Sequence, residues 1–342
     1  MKKNNLLLVL LILIVVLGAA LRFFRLGEVP VALNRDEASL GYTAWSLLHT
    51  GRDEHGVYMP INIQSFGDWK LPVYVYTLIP VVAVFGLNEW SVRVVSAVSG
   101  VLLIITTYGI VSVLIRDFYK KPDLGIFRYL PYLSALFVAI SPWSIHMSRI
   151  AYEANLALAI FSVATLCFLT AVIDEHASFR AKYSYLLTSA LFFGLTVFTY
   201  HSYQVLTPLM TLFLVILYRA ALVKIFRTKK YLSVLPMFIF VFFIVALLLS
   251  QTSGANQTKY GGISILTEKQ YEQNLFVQRQ LIAPTDPLIS KLYISMPKMV
   301  FDRLIINVMD LVNPNFLFKT GGSHGSHNFP GVGNMFWFGL LT

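Results

Sequence analysis

The sequence is poor in charge and almost devoid of cysteine. Only 13% of its 342 residues are Asp, Glu, Lys or Arg, against 56% hydrophobic, a balance that excludes an ordinary soluble domain. The single cysteine, Cys167, lies inside an apolar run, which excludes a disulfide framework and a cysteine-based metal site. Acids are scarcer than bases, 17 against 27, for a formal net charge of +10. That excess does not point to nucleic acid, because Lys and Arg gather in short segments between apolar runs, the pattern that orients membrane helices. The chain also lacks internal repeats and low-complexity tracts. What is present is a mean hydropathy of +0.67, the composition of an all-α polytopic membrane protein.

Apolar runs suited to a ~30 Å hydrocarbon core lie at 6–21, 71–87, 91–115, 129–142, 156–173, 183–200, 205–222 and 231–249, and a further run opens at Met335. The first follows Lys2-Lys3 and reads as a retained anchor with a cytoplasmic N-terminus, because Gly18-Ala19-Ala20 continues directly into Leu21-Arg22-Phe23-Phe24 rather than into a polar mature start. The basic groups Arg116-Lys120-Lys121-Arg128, Arg180-Lys182 and Arg219-Lys224-Arg227-Lys229-Lys230 alternate with the runs and belong in one compartment, the cytoplasm. They share the side of Lys2-Lys3 only if one early run does not cross. The run at 71–87 carries Pro72 and Pro80 and follows Lys70 directly, so it reads as an interfacial helix. About seven complete crossings remain, with a core over 1–249 that includes an outer loop at 22–90. A second outer region spans 250–334, with an amphipathic segment from Thr267 to Arg279, and residues 335–342 open another helix. Both outer loops share a face with the link at 141–155 and the turn at Tyr200-His201.

The ionisable groups outside the basic loops collect on that outer face: Asp36 and Glu37, Asp68 and Lys70, Glu89 and Arg93, Arg149 and Glu153. Acids at a bilayer surface are costly to desolvate and ask for a reason. Lys70, Arg93 and Arg149 can bind a phosphate as it develops charge, while Asp36 takes a proton from an attacking hydroxyl, with Glu37 and Glu153 counted beside it as catalytic acids. That is equipment for displacing a lipid phosphate from a sugar. Each residue also has a plainer reading. Asp36 and Glu37 suit a helix N-terminus, Lys70 can snorkel to headgroups, and Arg149 with Glu153 can be a structural pair on one helix face. His324 and His327 sit in a Gly/Ser-rich turn with no nearby acid, a poor metal site, so no cofactor is expected and a divalent metal stays only an open alternative. His146, His201, Tyr200 and Tyr203 read as interfacial anchors.

Arg35-Asp36-Glu37, then Lys70-Leu71-Pro72, then Phe85-Gly86-Leu87-Asn88-Glu89-Trp90-Ser91-Val92-Arg93, resembles the membrane glycosyltransferases of the GT-C fold. The branch it is most similar to holds the protein mannosyltransferases and lipid A aminoarabinose transferases, the family 39-like glycosyltransferases. Ser141-Pro142-Trp143 through Arg149 and Glu153, and Thr199-Tyr200-His201-Ser202-Tyr203, continue the likeness, which covers about residues 20–210. It implies a GT-C-type bundle and transfer of a sugar, with inversion, from a polyprenyl-phosphate donor to an acceptor protein, lipid or glycan on the outer face of the plasma membrane. It also implies that Asp36 is the catalytic base, Lys70 a donor-phosphate ligand, Glu153 the family's second acid and Arg93 its arginine at the next crossing helix. Leu71-Pro72 departs from the family's Pro-Pro after the lysine. Family members continue through further crossing helices, so this chain reads as part of a longer protein. A transporter would place charges within the crossing helices or in repeated halves, which this sequence does not show; a non-catalytic envelope assembly protein would make Asp36 dispensable.

Overall fold

The computed structural model describes residues 2–66, 68–119, 125–227, 234–251, 295–320 and 333. The chain divides into two compact units, Met1–Ser250 and Gln251–Thr342.

Among its described residues the first unit is mostly helical, with one small hairpin. Helix α1, Lys2–Phe23, carries an unbroken apolar stretch from Asn5. The polar segment that follows is not an open loop, as the sequence reading had it. Asn34 caps α2, Arg35–Thr50, in a reciprocal box with Glu37, and Gly51, at a positive φ of 66°, closes the helix by donating to the Leu47 carbonyl. Leu40, Ala44 and Leu47, spaced four and three apart, give α2 the apolar stripe that it buries. Strands β1, Ile63–Ser65, and β2, Asp68–Lys70, then pair antiparallel with Ile63 opposite Lys70.

Helix α3, Pro72–Phe85, starts on a proline that needs no N–H partner there. Its 14 residues rise ~21 Å, too short for a ~30 Å core. Tyr74, Val75, Leu78 and Val82 bury one face against α2 and α4. Helix α4, Glu89–Phe118, is capped by Asn88 and Ser91, and it packs against α1, α5, Leu130–Ile140, and α7, Glu153–Ile173. Helix α6, Pro142–Arg149, leaves the line of the preceding helical segment by 55°. Pro142 has no N–H to continue the ladder and Ser141 caps the new helix, so the run at 129–142 ends in a break. Helices α8, Phe179–Val197, and α9, Tyr203–Leu217, follow, and α10, Arg219–Phe226, turns away from α9 by 73°. Helix α11 is Val234–Gln251.

The chain is a membrane-embedded, polytopic all-α protein. Among the described residues three helices are long and apolar enough to cross a membrane, and five if each bent pair makes one crossing. About seven had been expected. The difference lies in the two breaks, in α11, whose apolar stretch is short, and in α8, which opens with Arg180 and Lys182. The second unit contributes α12, Met296–Leu311, and a π-turn at Asn315–Thr320. The segment at 267–279, His324, His327 and the run opening at Met335 lie outside the described residues.

The break between α5 and α6 is filled by a guanidinium. Arg22 is fully buried. Its Nη1 donates to the carbonyls of Gly18 and Ala139, its Nη2 to the Val138 carbonyl and Ser144 Oγ, and its Nε to Ser148 Oγ. All the donors of an arginine are thereby used, two of them on carbonyls that precede the break. A charge buried without such partners is costly by several kcal/mol. Gly100 on α4 leaves the room: a Cβ there would collide with Ser148 Oγ and stand 2.6 Å from Arg22 Nε. Gly100→Ala is therefore expected to destabilise the fold by about 1–3 kcal/mol, read as a lower thermal unfolding midpoint; an unchanged midpoint would show that the packing relaxes freely.

Candidate active site

Three short pieces of chain converge at one end of the bundle. The capping box turns successive residues of α2 in opposite directions: Glu37 faces inward and is buried, while Asp36 keeps 37% of its side chain exposed. The β1–β2 hairpin carries Lys70 inward to 7% exposure, and the first turn of α7 brings Glu153. Lys70 Nζ lies 3.3 Å from Asp36 Oδ1 and 3.6 Å from Glu153 Oε1. Of the residues singled out in the sequence, Asp36, Lys70 and Glu153 thus form one cluster.

The hairpin is held from several sides. Ser65 Oγ donates to Ser39 Oγ of α2 at 2.6 Å, a ring nitrogen of His201 lies 3.1 Å from the Trp69 carbonyl, and Val73 N donates to the Phe198 carbonyl at 3.3 Å. At its tip Phe66 takes a positive φ of 48°, unusual for a bulky residue. Its ring lies 5.7 Å beneath the Arg35 guanidinium.

Burial alone would lower the Lys70 ammonium, but Glu153, Asp36 and Asp68 together outweigh it and its pKa stands above the ordinary 10.5. The sign follows from the raised folded value. The cluster's contribution to stability is fully present below the unfolded pKa and fades only as pH rises through the higher folded one. Lys70 is therefore a cation throughout the neutral range, with donors to share between two carboxylates and an incoming anion.

The other three sequence candidates stand outside this cluster, each for a physical reason. Glu37 Oε1 accepts from Arg93 Nε at 3.0 Å and from Ala151 N at 2.8 Å, and Oε2 accepts from Asn34 N at 3.0 Å and Arg93 Nη2 at 3.3 Å. Such a carboxylate is saturated and has no lone pair aimed at a substrate. Arg93, fully buried, spends its remaining donors on the carbonyls of Leu26, Pro30 and Ala32, which leaves none for a phosphate. Arg149 does not pair with Glu153. It donates to the carbonyls of Leu21, Arg22, Arg25 and Val29, closing the segment after α1. Glu37, expected to be catalytic, and Arg93 and Arg149, expected to bind phosphate, spend these groups on one another and on the backbone instead. Glu37 ties the start of α2, beside Asp36, to Ala151, two residues before Glu153, and so fixes the two acids that flank Lys70.

Tyr152, missed in the sequence, belongs here, and so does Tyr200, which was read as an interfacial anchor. The Tyr152 and Tyr200 rings meet edge to face, 6.0 Å apart. Burial, and after it Tyr200 and the Glu153 and Asp36 carboxylates, push the Tyr152 phenol well above its ordinary value, so it stays a neutral donor beside the acids. Its position directly before Glu153 was the available signal. Among the described residues no group of three or more His, Cys, Asp or Glu is gathered as a metal site.

No family model matches the chain, and no curated protein matches its sequence. Among solved structures, the chain is similar to ArnT from Cupriavidus metallidurans in the apo state, with TM-score 0.52 and 14% identity over 77% of this chain and 45% of that one. The fold is of the GT-C type. At that identity the likeness speaks for the fold alone, and this chain spans less than half of that neighbour's length. The same protein bound to undecaprenyl phosphate aligns with TM-score 0.49 and 13% identity, over 87% of this chain and 55% of that one.

Proposed function

We propose that the chain carries the catalytic face of an inverting glycosyltransferase that moves a sugar from a polyprenyl-phosphate donor to an acceptor hydroxyl or amine. The observation that carries this reading is the buried Lys70 ammonium between an exposed carboxylate, Asp36, and a buried one, Glu153, at the start of a helix too short to cross the bilayer. The GT-C-type fold supports it, as does the order of the sequence motifs that carry these residues.

In the proposed step the acceptor atom attacks the anomeric carbon and its proton passes to Asp36. The bond from that carbon to the phosphate oxygen breaks, and its electron pair leaves with the polyprenyl phosphate. One displacement inverts the centre. Lys70 meets the charge that grows on the leaving phosphate, a fixed cation in a place sheltered from water, while Glu153 holds the ammonium in position. The donor's hydrocarbon stays in the bilayer.

The site is assigned to the outer face of the plasma membrane, with a cytoplasmic N-terminus. In support, α4 runs from the site end at Glu89 to Arg116, and α7 from Glu153 toward the Arg180 and Lys182 side, so these three basic residues lie at the far end of the bundle.

Lys70→Ala is expected to weaken apparent donor affinity by about 10- to 100-fold, the worth of a charge-assisted hydrogen bond. Lys70→Arg should recover part of the loss. The assay is transfer from a radiolabelled polyprenyl-phosphate sugar in membranes; unaltered donor affinity in Lys70→Ala would remove Lys70 from the site.

A further inference from the structure

The bundle carries a cavity of mixed polar and apolar lining at the end remote from Lys70. It holds about 500 Å³ between the turn that joins α7 to α8 and the surface of α10. The 21 residues of α7 rise ~30 Å, so this cavity and the Glu153 end of the same helix lie a membrane's thickness apart. Its walls are of two kinds. Val172, Phe179 and Ile225 are apolar, while Lys182 and Lys224 approach from α8 and α10 with Glu175 as the acid among the lining residues. The room exists because α10 bends away from α9 by 73° and presents Ala220 and Ala221 toward the space.

We infer that this cavity is a binding site for the headgroup of an anionic glycerophospholipid, with the phosphate between Lys182 and Lys224 and the upper part of the acyl chains against Val172, Phe179 and Ile225. Three observations point the same way. The lining has two cations against one anion. More positive charge surrounds it, with Arg180 in the first turn of α8, Arg219 at the start of α10 and Arg227 at its end. The apolar walls are continuous with helices whose outward faces are lipid-facing, such as Val223 at 68% exposure. Basic pockets between membrane helices at the positively charged face suit anionic headgroups. A free phosphate would satisfy the lysines but leave the apolar wall wet, so the lipid is the better occupant.

The test uses the purified full chain in detergent with phosphatidylglycerol or phosphatidylcholine added, and retained lipid counted by native mass spectrometry. Wild type is expected to keep phosphatidylglycerol and to lose phosphatidylcholine. Lys182→Gln with Lys224→Gln should lower phosphatidylglycerol retention about thirtyfold, and each alone about fivefold. Ala221→Trp, which fills the cavity and keeps both lysines, should lower it as well. Inorganic phosphate in tenfold excess should leave the lipid bound. Retention unchanged in the double lysine variant, equal retention of both lipids, or displacement of the lipid by inorganic phosphate would each overturn the assignment.

Discussion

Asp36→Asn is expected to lower sugar transfer about a thousandfold while leaving donor affinity and thermal stability nearly unchanged. The size is that of a general base removed from its task, 10²- to 10⁴-fold. The selectivity comes from where Asp36 sits. It makes neither the α2 cap, which belongs to Asn34 and Glu37, nor any of the buried backbone ties. Its side chain is 37% exposed and touches Lys70 from the open side, while Glu153 still holds the ammonium from the buried side. Asn keeps the shape and loses the ability to accept a proton. The expected signature is therefore a fall in kcat with KM for the donor within a few-fold, measured beside the unfolding midpoint. A non-catalytic envelope assembly role would leave every one of these quantities unmoved.

The second large effect is expected at the Glu37–Arg93 pair, and it is of a different kind. Each partner alone, as Glu37→Gln or Arg93→Met, should destabilise the protein by about 3–5 kcal/mol, because the remaining buried charge keeps no counter-charge. Removing both as Glu37→Gln with Arg93→Met should cost clearly less than the sum of the two, since the mismatch disappears. Stability alone would not separate a positioning role from a structural one. The pair holds the carbonyls of Leu26, Pro30 and Ala32 and the N–H groups of Asn34 and Ala151, the segments that lead into Asp36 and Glu153. The double variant is therefore expected to regain stability without regaining kcat. Strict additivity of the two stability losses would show that the residues do not act as a pair, and full activity in the double variant would end the positioning role.

How much of this was legible beforehand depends on the kind of force involved. The helices α1, α3, α4 and α7 could be read from apolar length and from Pro72 and Asn88, because burial in a membrane is written residue by residue in hydropathy. The break between α5 and α6 was less visible: a run of apolar residues at 129–142 looks continuous, and only Pro142 marks the place where the ladder stops. Arg22 was read as the flank of the first run, since sequence does not distinguish an arginine that snorkels to headgroups from one that fills a helix break. The helix α2 was read only in the plainer alternative, a helix N-terminus at Asp36 and Glu37, although Asn34 three residues before Glu37 and the spacing of Leu40, Ala44 and Leu47 also signalled it.

The site itself was half legible. Asp36, Lys70 and Glu153 were named and the structure brings them together, because sidedness can be worked out from charge and parity. The division of labour between the adjacent acids was not readable from type alone. The capping geometry sends Glu37 inward and leaves Asp36 outside, and the same geometry takes Arg93 out of the pool of free cations. Arg149 was paired with Glu153 on the strength of a spacing of four, but the α6 helix ends at Arg149 and α7 begins at Glu153, so no single helix face joins them.

The most direct measurement is a transfer reaction with a defined polyprenyl-phosphate sugar, run in membranes with wild type and Asp36→Asn side by side, scoring released polyprenyl phosphate and the anomeric configuration of the product. One polyprenyl phosphate released per sugar transferred, inversion at the anomeric carbon, and a roughly thousandfold loss in the variant are expected. Retention of configuration, or equal rates in the two proteins, would contradict the assignment of Asp36, Lys70 and Glu153 as the transfer site.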